Sequence, residues 1–253
     1  MSTAQCRLYG PLNDLVEPRC RQRDLAWHWD TPEPVREMIE GLGVPHVEVG
    51  LIVVNGDASG WSHRLQPGDR VSVYPSWRSL GIHSPVPLAP WEQPSGRYLL
   101  DVHLGRLARW LRLLGIDTAY SSSFDDDTLA QLCQRERRIL LTRDRQLLMR
   151  SAVAHGNWMR SQAPREQLAE ILECYDLAPL LRPYTRCAHC NGVLVRVPKE
   201  QVAEEVPPSV ARRVEFFARC PGCGHVYWPG SHQRRSEALF GLIVGYEAGS
   251  GRE

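Results

Sequence analysis

The stretch from Leu99 to Tyr120, LLDVHLGRLARWLRLLGIDTAY, decides the fold of the central part of the chain. It opens with the end of a short apolar run. Leucines and alanine then recur at helical spacing until Gly115, a residue typical of helix ends. A second short strand is predicted at 118–121. The order strand, helix, strand predicts parallel strands with the helix packed on one face of the sheet.

The same alternation continues toward the C-terminus. A second amphipathic helix is predicted around Leu129, and a third strand is predicted at Arg138–Thr142. One more amphipathic helix is predicted around 168–175, before the cysteine-rich segment begins. The βαβαβ order therefore predicts an α/β domain with a parallel sheet over residues 97–180.

Residues 1–83 predict a separate α+β domain. The segment LAWHW at 25–29 alternates like a strand, Thr31 is the predicted N-cap of a helix, and further strands are predicted at 47–54 and 70–74. This order is that of the ubiquitin-like β-grasp fold. The end of the segment resembles small sulfur-carrier proteins of that fold, but it lacks their free Gly-Gly terminus. A scaffolding or docking role, with a protein partner, is therefore the prediction for this domain.

Between and beyond these domains, composition predicts a linker and a tail. Residues 84–96 contain four prolines, which predicts a semi-rigid linker, and residues 236–253 are predicted to form a C-terminal tail. The N-terminus lacks an apolar signal segment and no apolar run approaches a membrane span, so a cytoplasmic location is expected. In that reducing compartment, eight cysteines favour metal binding over disulfides.

Two Cys-x-x-Cys motifs predict a zinc site within residues 181–235. They are Cys187-Ala-His-Cys190 and Cys220-Pro-Gly-Cys223, and each presents two sulfurs from one turn. Zinc prefers four tetrahedral ligands, and thiolates suit it. A redox role for one motif is the alternative, but two motifs without a thioredoxin-like context favour zinc. Four protein ligands leave no open coordination position, which indicates a structural ion.

Aspartates follow the predicted strands at their carboxyl ends. Asp101 and Asp144 each fall where a strand ends, and the acidic triple 125–127 follows the second strand. Functional groups gather at this edge of an open parallel sheet, so these carboxylates are expected to converge. Converging carboxylates need a counter-cation, and Mg²⁺ or Mn²⁺ prefers oxygen ligands and can activate water.

Two alternatives stay open at this point. Ser123-Phe-Asp-Asp126 has the pattern of a capping box, and Asp144 could cap a helix that begins near Gln146. The arginines on the polar side of the first helix, and one beside Asp144, could contact phosphate groups or could simply be solvated. These four arginines are Arg106, Arg109, Arg112 and Arg143.

Three stretches together resemble the Mut-seven C-terminal ribonuclease family. They are the opening stretch at 99–120, FDDDTLAQLCQRERRILLTRDRQLL at 124–148, and the two cysteine motifs with their flanks, CAHCNGVLV and CPGCGHVYWPGSH. The resemblance covers about residues 97–235. It implies a PIN-like nuclease fold followed by a zinc ribbon, preceded by a ubiquitin-like domain.

The resemblance also implies an activity and its residues. The family is one of metal-dependent ribonucleases, which implies RNA as the substrate and Mg²⁺ or Mn²⁺ as the catalytic ion. Its first acid maps to Asp101 and its last to Asp144. The middle acid maps to Asp126, which stands three residues before Leu129, with Asp127 as the second candidate. The arginine-rich zinc ribbon is expected to help bind RNA. The alternative is a non-catalytic RNA-binding or adaptor protein that uses the β-grasp and zinc-ribbon modules.

Overall fold

The computed structural model describes residues 1–76, 84–90 and 96–228. The predicted tail, residues 91–95 of the predicted linker and residues 229–235 of the predicted ribbon lie outside the described residues. The described chain forms two compact units. The first combines the N-terminal residues with 125–160, and the second combines 96–124 with most of the rest.

The N-terminal fold is a mixed five-stranded sheet with one α-helix, the ubiquitin-like layout that the sequence predicts. Its elements are β1 (Ser2–Leu8), β2 (Asp24–Trp29), α1 (Val35–Gly41), β3 (Val49–Val54), β4 (Asp57–Ser59) and β5 (Arg70–Pro75). The strand order is β2-β1-β5-β3-β4. Strands β1 and β5 pair in parallel, and the other neighbours pair in antiparallel. Alternate side chains of β1 enter the core because successive residues of a strand point to opposite faces.

The helix of this domain begins later than the sequence predicts. Thr31 is not its N-cap: the helix starts at Val35, and Pro34 occupies the N-cap position. The two prolines at 32 and 34 explain the difference, because a residue before proline is biased away from the helical region. The backbone N–H of Val35 instead donates to the carbonyl of His63 at 2.7 Å. Strand β3 likewise starts two residues late, after a short 3-10 turn.

The central region alternates strands and helices, as the sequence predicts. Its elements are β6 (Arg97–Leu100), α2 (Gly105–Leu113), β7 (Asp117–Tyr120), α3 (Asp126–Glu136), β8 (Ile139–Thr142), α4 (Arg145–Leu148), β9 (Gly156–Trp158) and α5 (Pro164–Cys174). Strands β6 and β7 pair in parallel, and so do β8 and β9. The α/β class with a parallel sheet is thereby confirmed. Strand β9 is too short to stand out in the sequence pattern.

Helix α2 owes its position to its apolar face and to the glycine that ends it. Leu107, Ala108 and Leu111 are fully buried on one side of the helix. Gly115 has a φ of +84°, and a Cβ there would lie 1.9 Å from the carbonyl oxygen of Arg182. Glycine is required at this position both by the left-handed backbone and by the close approach.

The cysteine segment forms a small antiparallel sheet with one short helix. Its elements are β10 (Val195–Val197), α6 (Pro208–Arg213), β11 (Phe217–Arg219) and β12 (Val226–Tyr227). The strand order is β10-β11-β12. A small core of Val202, Val206 and Phe217 lies under the sheet. Across the described chain, we find no helix with the length and apolarity needed to span a membrane.

Candidate functional site

The two cysteine motifs form the same backbone turn. In the first, the N–H of Asn191 donates to the carbonyl of Cys187 at 2.9 Å, and in the second, the N–H of Gly224 donates to the carbonyl of Cys220 at 2.9 Å. The residue after each second cysteine is left-handed, with φ of 70° at Asn191 and 77° at Gly224. Asparagine and glycine are the residues that tolerate this conformation best. The sequence therefore builds two matched sulfur-presenting turns.

The structure brings the four predicted zinc ligands together. All four sulfur atoms lie within 4.8 Å of one another. The sulfurs of Cys187 and Cys223 are 3.5 Å apart, and those of Cys190 and Cys220 are 3.3 Å apart. A tetrahedral zinc–thiolate site with bonds of about 2.3 Å has edges of about 3.8 Å, so the donor set fits zinc. A disulfide, by contrast, needs about 2 Å between sulfurs.

A tyrosine outside the two motifs supports the cluster. The hydroxyl of Tyr227 lies 3.1 Å from the sulfur of Cys187 and accepts a hydrogen bond from the N–H of Ala188 at 3.1 Å. Burial opposes ionisation of Cys187, but hydrogen bonds from Tyr227 and from backbone N–H groups lower the pKa of this thiol to about 6. The thiolate is the form that binds metal, so the surroundings favour binding. Nothing in the sequence singles out this tyrosine.

Arg112 differs from its predicted role. It was expected on the solvated side of α2 as a phosphate ligand, but it is only 3% exposed. Its Nε donates to the carbonyl of Thr118 at 2.9 Å, and its Nη1 donates to the carbonyl of His189 at 2.6 Å. The exposed-side prediction is wrong because the first cysteine turn covers this end of the helix. Burial lowers the pKa of Arg112, and the nearby thiols of Cys187 and Cys190 act in the opposite direction.

A second polar network joins the first cysteine turn to strand β7. The side-chain amide of Asn191 donates to Asp117 at 2.8 Å, and its oxygen accepts from the N–H of Thr118 at 3.0 Å. Arg186 forms an ion pair with the other oxygen of Asp117 at 3.2 Å. No local sequence pattern indicates these contacts, since they join residues about seventy positions apart. The first cysteine turn is therefore built into the same unit as α2 and β7.

Two histidines stand next to the cysteine cluster. The rings of His189 and His225 are stacked, with centroids 4.9 Å apart, and both residues are exposed. Nδ1 of His225 lies 3.6 Å from the sulfur of Cys223. Together these three residues form a second group with ligand atoms within 4.8 Å. Because that group shares Cys223 with the four-cysteine set, it is not a complete separate site.

The first and last predicted aspartates both cap the turns that follow their strands. Asp101 is 4% exposed, and its Oδ1 accepts from the N–H of His103 at 2.8 Å. Asp144 is exposed and is the N-cap of α4, where its Oδ1 accepts from the N–H of Gln146 at 2.8 Å. The alternative that Asp144 caps a helix near Gln146 is therefore confirmed. Capping uses one oxygen of each carboxylate in these hydrogen bonds.

The acidic triple begins helix α3. Asp125 is its N-cap and accepts from the N–H of Thr128 at 2.8 Å; hydrogen bonds from the side chain and then the backbone of Thr128 hold the pKa of Asp125 below its usual value. The predicted capping box centred on Ser123 is wrong: the hydroxyl of Ser123 pairs instead with that of Ser121 at 2.7 Å. Asp125 directly precedes the first helical residue, so Asp125 and not Ser123 is the N-cap of α3.

The other two members of the triple differ in their contacts. Asp126 and Asp127 are both exposed in the first turn of α3. Asp127 forms a short ion pair with Arg150. Of the predicted phosphate-binding arginines, Arg106 and Arg109 are exposed on α2. No group of three carboxylates within the described ranges has its oxygens within 4.8 Å, so convergence of the aspartates stays a prediction.

Comparison with protein-family models gives two matches that together cover most of the chain. The model of the Mut7-C RNAse domain matches residues 96–240, which is more than half of the sequence. The model of the Mut7-C ubiquitin domain matches residues 1–81. Searches of curated proteins and of solved structures returned no match.

Proposed function

The chain belongs to the Mut7-C family, and from this premise we propose that it is a metal-dependent ribonuclease that hydrolyses RNA phosphodiester bonds. The observation that carries the proposal is the RNAse-domain match over residues 96–240. Two predicted acids, Asp101 and Asp144, follow parallel strands closely. That edge of an open α/β sheet is where such folds bind their ligands, which supports the proposal.

Asp101, Asp126 and Asp144 would hold Mg²⁺ or Mn²⁺. Carboxylate oxygens are the donors that these ions prefer. Mg²⁺ retains several waters and needs only one or two direct carboxylates, so the three acids need not all contact the ion. The bound ion would activate a water molecule for attack on the phosphodiester. Asp127 remains the second candidate for the middle position, but its ion pair with Arg150 favours Asp126.

Three arginines would bind the RNA backbone. Arg106 and Arg109 lie on the open side of α2, the helix that follows Asp101, and Arg143 directly precedes Asp144. Arginine matches phosphate geometry well and its contacts position nucleic acid without reading its sequence. Arg112 is not part of this set, because its guanidinium group is buried and bound to backbone carbonyls.

The four cysteines would hold a structural zinc ion. With four protein thiolates the ion has no open coordination position, so its role is to fold the cysteine segment. That segment exposes Arg196, Arg212 and Arg213, which would add to the RNA-binding surface. The zinc ribbon therefore aids binding, and hydrolysis belongs to the aspartates.

The test is cleavage of RNA by the purified protein with Mn²⁺ or Mg²⁺, repeated with Asp101→Asn and Asp144→Asn. Asparagine caps a helix about as well as aspartate, so each variant keeps the turn and loses the charged ligand. We expect both variants to lose cleavage. The matched control is Asp176→Asn, which changes another turn-capping aspartate, bonded to the N–H of Ala178 at 3.3 Å, and leaves activity intact.

The outcomes separate the proposal from its alternative. Cleavage that survives both Asp101→Asn and Asp144→Asn contradicts the metal site. Absence of cleavage with every divalent ion, together with salt-dependent RNA binding, would instead identify a non-catalytic RNA-binding or adaptor protein.

A further inference from the structure

The turn that carries Asp144 is tied to Trp158, the last residue of strand β9. The indole N–H of Trp158 donates to the carbonyl of Arg143 at 3.2 Å. Thr142, one residue earlier, is the ladder partner of Trp158 in the parallel pair of β8 and β9. The hydroxyl of Thr142 also accepts from the N–H of Asp144 at 2.9 Å. The path of the chain into Asp144 is therefore fixed by one tryptophan and its strand partner.

The same tryptophan is also held by the ubiquitin-like fold. Its ring packs against the N-terminal hydrophobic core. Its backbone N–H donates to the carboxylate of Glu48, which is 7% exposed. Val47 also lies near this strand, since a Cβ added at Gly156 would be in ordinary van der Waals contact, at 3.5 Å, with one of its methyl groups. A buried carboxylate needs hydrogen-bonding partners, so Glu48 is a specific anchor for this strand.

Two arginines complete the connection. The guanidinium carbons of Arg145 and Arg160 lie 5.5 Å and 5.2 Å from the centroid of the Trp158 ring, within the range of cation–π attraction. Arg145, which directly follows Asp144, donates to the carbonyl of Leu15 at 2.7 Å. Arg160 donates to the carbonyl of Pro11 at 3.2 Å. Both neighbours of Asp144 in the chain are thus linked to Trp158.

We propose that Trp158 is a positioning residue through which the ubiquitin-like fold holds the Asp144 turn in place. In this proposal, residues 143–160 of the same chain contact the surface of the ubiquitin-like fold around Glu48, Pro11 and Leu15. The consequence for catalysis rests on the proposed function, because it requires Asp144 to be a metal ligand. The expected effect on the conformation of the turn does not depend on the proposed function.

The physical reason is geometric. A four-residue helix such as α4 is too short to hold its own N-cap rigidly, so the turn depends on contacts from outside. A ligand that moves by about 1 Å can cost a large part of a catalytic rate. The ubiquitin-like fold supplies the rigid support from which Asp144 is held.

The test measures backbone hydrogen exchange of the full chain by mass spectrometry, without metal. Trp158→Phe keeps an aromatic ring and removes the indole N–H. We expect the amides of 143–148 to exchange about fivefold faster, the factor that one net hydrogen bond contributes. The matched control is Trp61→Phe, which removes an indole bond to the carbonyl of Leu88 at 2.7 Å. It should leave exchange at 143–148 unchanged.

A second variant keeps the proposal testable if Trp158→Phe does not fold. Arg145→Met removes an exposed side chain and its bond to Leu15, and it should also speed exchange at 143–148. Arg145→Lys, which can still reach a carbonyl, should restore part of the protection. Unchanged exchange in both Trp158→Phe and Arg145→Met overturns the proposal.

Activity assays separate this proposal from the assignment of Asp144. If Asp144→Asn abolishes cleavage, Trp158→Phe should lower kcat severalfold with little change in KM, and Trp61→Phe should change neither. A Trp158→Phe enzyme with normal kcat would then overturn the positioning role. If Asp144→Asn keeps full activity, the proposed metal site fails, and hydrogen exchange alone decides whether Trp158 holds the turn.

Discussion

Arg112 donates a hydrogen bond of 2.6 Å from its guanidinium group to the main-chain oxygen of His189, which lies between the two cysteines of the first motif. Helix α2 and the candidate zinc site are therefore connected through one buried cation. Four thiolates around one Zn²⁺ carry a net negative charge, and Arg112 stands close enough for its pKa to respond to Cys187 and Cys190. Arg112 therefore donates hydrogen bonds to buried backbone carbonyls and also offsets the negative charge of the thiolates.

Replacement of Arg112 by methionine is expected to lower the free energy of unfolding by about 3 kcal/mol, because it leaves buried carbonyls without donors. Chemical denaturation of the zinc-loaded protein measures the loss. Arg112→Lys should recover little, since an ammonium group cannot reproduce the planar fork. Arg109→Met, on the exposed side of the same helix, should change stability by no more than about 0.5 kcal/mol. Equal effects of the two methionine variants would argue against this role.

Removal of zinc is expected to loosen the second unit beyond the cysteine segment itself. Because Asn191 binds Asp117 and the N–H of Thr118, opening the first cysteine turn should speed hydrogen exchange in β7. Cys190→Ser should reduce bound zinc below one ion per chain, as measured by elemental analysis. Cys20→Ser, a substitution outside the cluster, should keep the full zinc content. Unchanged exchange in β7 after chelation would contradict this coupling.

Gly115→Ala is expected to destabilise the protein strongly, since a Cβ would lie 1.9 Å from the carbonyl oxygen of Arg182 at a φ of +84°. Gly68 offers a matched control, because it has a similar φ of +89° and a Cβ added there would meet nothing within 4 Å. Gly68→Ala should cost only the backbone strain, about 1–2 kcal/mol. Thermal unfolding of both variants separates the two effects. Gly68→Ala reports backbone strain alone, and Gly115→Ala reports backbone strain together with the steric overlap at Arg182. Similar losses would show that the backbone near Arg182 can move away.

Acidification is expected to destabilise the protein through His46. Burial lowers the pKa of His46, and the nearby Arg36 lowers it further, against the hydrogen bonds to Val153 and Glu40. His46 in the unfolded chain therefore binds a proton at about pH 6.5. In the folded protein it binds that proton only at a lower pH. Stability should fall as pH drops from about 6.5 toward the lower folded-state pKa, by at most about 1.4 kcal/mol per pH unit, and then level off.

Denaturation at several pH values measures this dependence. His46→Gln should flatten the curve in that window, whereas His28→Gln, at a site away from His46, should not. A wild-type curve that His46→Gln leaves unchanged would assign the pH dependence to other groups.

Local patterns in the sequence were sufficient for the alternating strands and helices between residues 97 and 142 and for the cysteine motifs. The leucine spacing of α2, its Gly115 stop and the two Cys-x-x-Cys turns each depend on residues close together in the chain. The N-terminal helix was misplaced at Thr31 because proline is common in the first turn of a helix, so Pro32 favoured a start there, whereas the helix begins only after Pro34. Helix periodicity locates a helix more reliably than it locates the first turn.

Long-range polar contacts were beyond the reach of such patterns. Arg112 looked like a solvated residue of an amphipathic helix, because only the tertiary structure reveals that the cysteine turn covers it. Trp158 carried no signal in the sequence, since its contacts to Arg143 and Glu48 involve a backbone carbonyl and a buried carboxylate. The role of each aspartate as a cap or as a ligand likewise depends on groups that the sequence does not place.

The contact between Asn191 and Thr118 has a consequence for self-association. Within the described strands, β7 has β6 as its hydrogen-bonded neighbour on one side only. A bare strand edge is a template for pairing with another chain. The side-chain oxygen of Asn191 occupies the Thr118 N–H along this edge. We therefore expect the first cysteine turn to hinder pairing of another chain at this edge, and zinc-depleted protein should accumulate as soluble oligomers or precipitate where the zinc-loaded protein stays dispersed.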